Sequence, residues 1–166
     1  MSNPYPIPNA VRMLSDFAPG SEIGVSDWIC VTQEMIDQFS AATLDPDPMH
    51  VDPRWAVDHG PFNGTIAFGF LTIGLLTRMF HAAIGEGWGA DPAKVGYNLN
   101  YGFDRVRLVA PVPVGCRVRG RFAAAGERWD KKDRRILSVD CEVEIENAPR
   151  PALVARWLTV WVPPAQ

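Results

Sequence analysis

The chain has 166 residues, about one domain's worth at roughly 150 residues per domain. Hydrophobic residues make up 47% and charged residues 21%, a globular composition that excludes a disordered chain. Lys and Arg number 16 against 19 Asp and Glu, and the net charge of −3 argues against a nucleic-acid binder.

Residues 1–20 read as an extended arm, with Pro4, Pro6 and Pro8 early and Pro19-Gly20 at its end. The first ten residues carry no basic side chain and no apolar run, so they do not read as a signal peptide. Asp27 to Val31 is a strand candidate. Thr32 is a good N-cap, Glu34 suits a first helical turn, and Met35, Ile36, Phe39 and Thr43 have helical spacing. That helix must stop near Leu44, because Asp45-Pro46-Asp47-Pro48 cannot continue it. Asp52-Pro53 starts a short helix that runs to about Asp58 and is closed by Gly60-Pro61. Asn63-Gly64 is a turn.

A long apolar helix follows, from about Ala67 to Gly85. Arg78 and His81 interrupt it, so it reads as a core helix and not as a membrane span. Beyond Pro92 the period drops to two. Tyr97, Leu99, Tyr101 and Phe103 alternate, and Arg117 to Ala125 is a further strand. Gly126 to Arg135 is a charged hairpin connection, and Leu137, Val139, Cys141, Val143 and Ile145 alternate cleanly after it. Ala152 to Val162 is a final strand, apolar on nearly both faces. Helices followed by long antiparallel strands mean an α+β domain, with the sheet wrapped around the central apolar helix to cover it.

Cys30, Cys116 and Cys141 are odd in number and show no Cys-x-x-Cys spacing. They read as small buried hydrophobes in a cytoplasmic, reducing setting.

Few residues are suited to chemistry. Of the three histidines, His81 sits in the apolar helix and His59 at a helix end, where each has a structural role available. His50 differs. It lies with Asp45 and Asp47 in a proline-stiffened stretch, Leu44-Asp45-Pro46-Asp47-Pro48-Met49-His50-Val51-Asp52, and a rigid backbone suits an acid/base pair. A plain turn with an exposed His50 is the alternative reading. An EF-hand fails here, since position six from Asp45 is His50 and position twelve is Ala56. No His-x-x-x-His pair supports zinc, so no metal is expected. Gly69 falls in the first turn of the apolar helix, where an N–H without an intrahelical partner can meet a ligand oxygen.

Three stretches, in matching order, resemble the MaoC-like dehydratase family, which includes (R)-specific enoyl-CoA hydratases, and its NodN-like branch most closely. They are Ala42-Thr43-Leu44-Asp45 with His50-Val51-Asp52, then Gly64-Thr65-Ile66-Ala67-Phe68-Gly69-Phe70-Leu71-Thr72, then residues 100–107 with 111–115. The resemblance spans residues 17–162. It implies a single hotdog domain over residues 21–166 that hydrates 2-enoyl thioesters or dehydrates 3-hydroxyacyl thioesters.

In that reading Asp45 and His50 activate water and the Gly69 N–H stabilises the enolate oxygen. Asp47, Trp55, Phe62, Phe68, Phe70 and Leu71 are the residues expected to meet substrate. The substrate is a thioester of CoA or of an acyl carrier, and no cofactor is implied. Arg78, Lys94, Arg105 and Arg107 are available for the carrier's phosphates, or are ordinary solvated charges. Leu44, Asp47 and Phe68 depart from the family's Gly, Asn or Gln, and His, and the stretch carries both Pro46 and Pro48. A hotdog thioesterase and a non-catalytic acyl-binding subunit are the rival readings. The apolar final strand, with Trp157 and Trp161, would leave a wet apolar face on a lone sheet, so a homodimer is expected.

Overall fold

Alternation decides the sheet. Along Arg135–Ile145 every second side chain from Leu137 to Ile145 is buried, while Ser138, Asp140, Glu142 and Glu144 are half-exposed. The computed structural model describes residues 14, 17–85, 96–132 and 134–163. Ten elements follow in chain order: β1 (Glu22–Val25), β2 (Ile29–Cys30), α1 (Gln33–Thr43), α2 (Pro48–Val51), α3 (Pro53–Asp58), α4 (Gly69–Ile84), β3 (Tyr97–Leu108), β4 (Arg117–Trp129), β5 (Arg135–Ile145) and β6 (Leu153–Val162). The strands form one antiparallel sheet in the order β1-β4-β5-β6-β3, with β2 also paired to β4.

The helix α4 packs against β1 and β4. Its buried face is Thr72, Leu76, Met79, Phe80 and Ile84. Phe80 meets Phe122 and Trp157 edge-on, at ring separations of 5.4 and 5.6 Å. A Cβ at Gly24 would collide with the Ala83 carbonyl, so the glycine lets β1 lie close to the helix. The long helix is thus the centre of an α+β hotdog, as the sequence implied. Its cover is one-sided, however. Phe70 is 75% exposed and Gly74 is exposed, so the single chain does not enclose the helix.

The local signals sit where the residues placed them. Thr32 Oγ1 accepts from the Met35 N–H, and α1 ends at Leu44 in the left-handed region, at φ 59°. Leucine bears a steric cost there that glycine avoids. Asp52 caps α3 through the Trp55 N–H, and Gly85 closes α4 at φ 77°. The strand expected over 27–31 shrinks to two residues at the edge of β4, and the hairpin expected over 126–135 is mostly strand, with its turn near Asp130. Cys141 is buried, and burial pushes its thiol up to about 12. Cys30 is exposed at the end of β2, which corrects its reading as a buried hydrophobe.

Most of the expected arm, residues 1–13, 15 and 16, lies outside the described residues, as does Lys94. Leu14 is buried in the core and Phe17 packs against it, and the Gly20 N–H donates to Ala124 O at 2.7 Å.

The alternation of Tyr97, Leu99, Tyr101 and Phe103 does not hold to one face. Leu99 lies opposite Val160, but Phe103 lies opposite Trp157, because a bulge intervenes between Asn100 and Gly102. A second bulge before Arg105 reverses the faces again. Arg105 and Arg107 then pair with Arg156 and Val154, and Leu108 pairs with the buried Leu153.

Candidate active site

The 44–52 stretch folds as a turn and a helix of one turn. Asp47 is the cap: its Oδ1 accepts from the Met49 N–H at 2.9 Å, and Pro48 fills the first helical position. Asp45 Oδ1 accepts from the Asp47 N–H at 3.3 Å, and the Ser40 hydroxyl donates to Asp45 O at 2.6 Å. The two carboxylates are therefore ordered by backbone N–H groups. Asp45 remains exposed.

His50 is on α2 and is half-buried. Its ring packs on Phe68, with centroids 3.9 Å apart and an interplanar angle of 34°. Nδ1 lies 2.7 Å from the Ile66 carbonyl oxygen. A carbonyl only accepts, so Nδ1 carries the proton. In the neutral ring, Nε2 is then left with a free lone pair, which is the form of a general base.

His50 and Gly69 line one cavity of about 250 Å³, together with Ile66, Ala67, Thr72, Leu108 and residues 109–112 and 152. Gly69 is the first residue of α4, so its N–H has no acceptor inside the helix. The helix dipole adds positive potential at that point. A Cβ at position 69 would meet Leu108 Cδ1, so the glycine leaves room for the leucine over the helix start.

The expected substrate residues scatter. Phe68 is 5% exposed and lies under His50 and beside Phe39, not at a pocket mouth. Trp55 stacks on His59 at 5.8 Å. Phe62 and Phe70 are exposed and Leu71 is half-buried. None of these five lines the cavity of His50 and Gly69, nor does Asp45 or Asp47. The structure brings together His50 and Gly69 of the three proposed catalytic residues and leaves Asp45 on the solvent side. Among the described residues no three His, Cys, Asp or Glu side chains group as a metal site.

Residues unremarked in the sequence complete the site. The Gln33 amide donates to His50 O at 2.8 Å and to Asp37 Oδ1 at 2.7 Å, and its oxygen accepts from the Thr65 hydroxyl at 2.6 Å. No local pattern marks Gln33, which reads only as a first-turn helix residue. Thr65 stood inside a quoted motif, but its partner is 32 residues away.

A family model described as MaoC like domain matches residues 16–146. The chain belongs to this MaoC-like family. Its relatives agree: this MaoC-like chain is 43% identical over 141 residues to Nodulation protein N of Rhizobium leguminosarum bv. viciae, covering 85% of the chain and 84% of the relative. It is 39% identical over 145 residues to 3-hydroxyacyl-thioester dehydratase Z of Mycobacterium tuberculosis, covering 87% and 91%. The MaoC-like fold also superposes on the solved (R)-hydratase from A. caviae involved in PHA biosynthesis. The TM-score is 0.67 at 18% identity, over 86% of this chain and 96% of that one.

Proposed function

We propose that this chain is a hydro-lyase that reversibly adds water across the double bond of a trans-2-enoyl thioester. The observation that carries the reading is the cavity that His50 and Gly69 both line, with His50 Nδ1 held 2.7 Å from the Ile66 carbonyl oxygen. The relative named as a 3-hydroxyacyl-thioester dehydratase supports the same chemistry.

The atoms balance as follows. Water oxygen bonds to Cβ while a proton leaves it for His50 Nε2 or the Asp45 carboxylate. The double-bond electrons move toward the thioester oxygen, and the Gly69 N–H donates to the developing enolate. One of the two acid groups then returns a proton to Cα. Asp45 is exposed and outside the residues that line this cavity, and its part in the reaction rests on the family resemblance. The acyl group is carried on CoA or an acyl carrier, and no cofactor takes part.

We place the working protein in the cytoplasm as a homodimer. Three free cysteines suit a reducing compartment. β3 ends the sheet order and bears the exposed Tyr97, Leu99, Tyr101 and Phe103, which favour a second copy.

The test is purified protein with crotonyl-CoA and a panel of longer and branched enoyl-CoAs. Loss of enoyl absorbance without thiol release is expected. Thiol release would favour a thioesterase, and tight binding without turnover a non-catalytic acyl-binding subunit; either result would refute the hydratase reading.

A further inference from the structure

We propose that Gln33 and Thr65 are positioning residues that hold His50 in the Nδ1–H form with Nε2 turned to the cavity. This rests on the hydratase reading for its kinetic consequence, though not for its structural one.

A glutamine amide has two N–H donors and an acceptor oxygen. Gln33 engages all three groups: one N–H goes to His50 O, one to Asp37 Oδ1, and the oxygen takes the Thr65 hydroxyl proton. Thr65 is 2% exposed, so its hydroxyl needs a partner inside the protein. Its own carbonyl accepts from the Val114 N–H at 3.0 Å, which ties it to the segment that leads into β4.

The bonds close a circuit. Gln33 holds the backbone of His50 from α1. Ile66, the neighbour of Thr65, holds the ring of His50 through its carbonyl. The backbone and the ring of one histidine are thus fixed to two segments that Gln33 and Thr65 bind to each other. α2 has four residues and no fully buried side chain; Val51 packs against the core and the His50 ring on Phe68, and the Gln33 bond adds a polar tie to the His50 backbone. The Ile66 N–H also donates to Met49 O at 3.5 Å, so loss of the Gln33–Thr65 link removes one of the ties that hold α2 in register with the Ile66 carbonyl. The Nδ1 bond that selects the tautomer then loosens. A displacement of about 1 Å at a reacting group costs on the order of 100-fold in rate.

The test uses Gln33→Leu, Thr65→Val, the double variant and Thr65→Ser in the full chain. With nitrogen-15 in the three histidine rings, long-range proton–nitrogen spectra under alkaline conditions report each tautomer, and His50→Asn assigns the signal. His50 is expected wholly as Nδ1–H in the unmodified protein and as a mixture in Gln33→Leu and Thr65→Val. In the hydration assay both variants should lose about 10-fold or more in kcat with KM changed less than about twofold. The double variant should lose no more than the worse single one, and Thr65→Ser should restore the Thr65→Val loss.

An unchanged His50 spectrum in both variants overturns the proposal. So does a tautomer shift with kcat intact, or a rise in KM alone. If Gln33→Leu does not fold, Thr65→Val against Thr65→Ser decides. A protein that hydrates no enoyl thioester defeats the hydratase reading, and the tautomer spectra still decide whether Gln33 and Thr65 set the His50 ring.

Discussion

At Gly69 two properties of one residue can be separated. The missing side chain makes room for Leu108, and Gly69, which lines the cavity, begins α4 with an N–H that has no acceptor inside the helix. Gly69→Ala adds a Cβ that the flexible end of Leu108 must yield to, but it keeps the N–H. Gly69→Pro also removes the N–H. Proline suits the first helical position, and Phe68 before it already has φ −58° and ψ 138°, the conformation proline prefers in its predecessor. Kinetics on the enoyl thioester should show Gly69→Pro about 100-fold below Gly69→Ala in kcat. Equal rates for the two would remove the oxyanion role from this N–H. Asp47 gives the opposite lesson. Its carboxylate looked like a second acid beside Asp45, yet it caps α2. The Asp-x-Met spacing carries both meanings, and only the fold chooses between them.

At the scale of elements, the turn between β4 and β5 shows how charge shapes stability. Arg134 donates to Asp130 through its side chain and its backbone N–H, and the Lys132 N–H donates as well. The Arg134 side-chain hydrogen bond leads in holding the Asp130 carboxyl down to about 2. The unfolded chain therefore binds this proton at higher pH than the folded one. The turn's contribution is fully present above about pH 4 and is lost as pH falls toward 2. Melting curves of Asp130→Asn and the unmodified chain should differ at neutral pH and converge below about pH 4. A constant difference down to pH 2 would contradict the assignment.

The elements also show what the sequence made legible. β5 was readable because one face is buried along its whole length, so polarity alternates without interruption. The caps at Thr32 and Asp52 were readable because they act within three residues. β3 was not, because its two bulges move side chains between faces without a mark in the hydrophobic pattern. The core of the site was half readable: His50 and Gly69 stood out as residue types, while Gln33 and the Ile66 carbonyl act through contacts 17 and 16 residues from His50.

At the scale of the whole molecule, apolar surface stands exposed among the described residues on α4 and on β3, besides single side chains such as Leu44 and Trp129. Phe70 and its neighbours expose one side of α4, and Leu99 and Tyr101 stand exposed on the terminal strand β3. A strand end of the sheet offers unpaired backbone N–H and C=O groups as well. The two-fold homodimer proposed above is the contact expected to cover apolar surface of this kind. Sedimentation at micromolar concentration should give twice the chain mass. Leu99→Lys, which places a charge on that surface, should shift the protein toward monomer. A monomeric mass for the unmodified protein would contradict the dimer.

The proposed hydration depends on His50 and Asp45 together activating the water that adds to the enoyl thioester. It is tested most directly by kcat for enoyl-CoA hydration in His50→Ala and Asp45→Ala, with folding checked by circular dichroism. Each folded variant is expected to lose about 100-fold or more. Full activity in either folded variant would contradict this joint role.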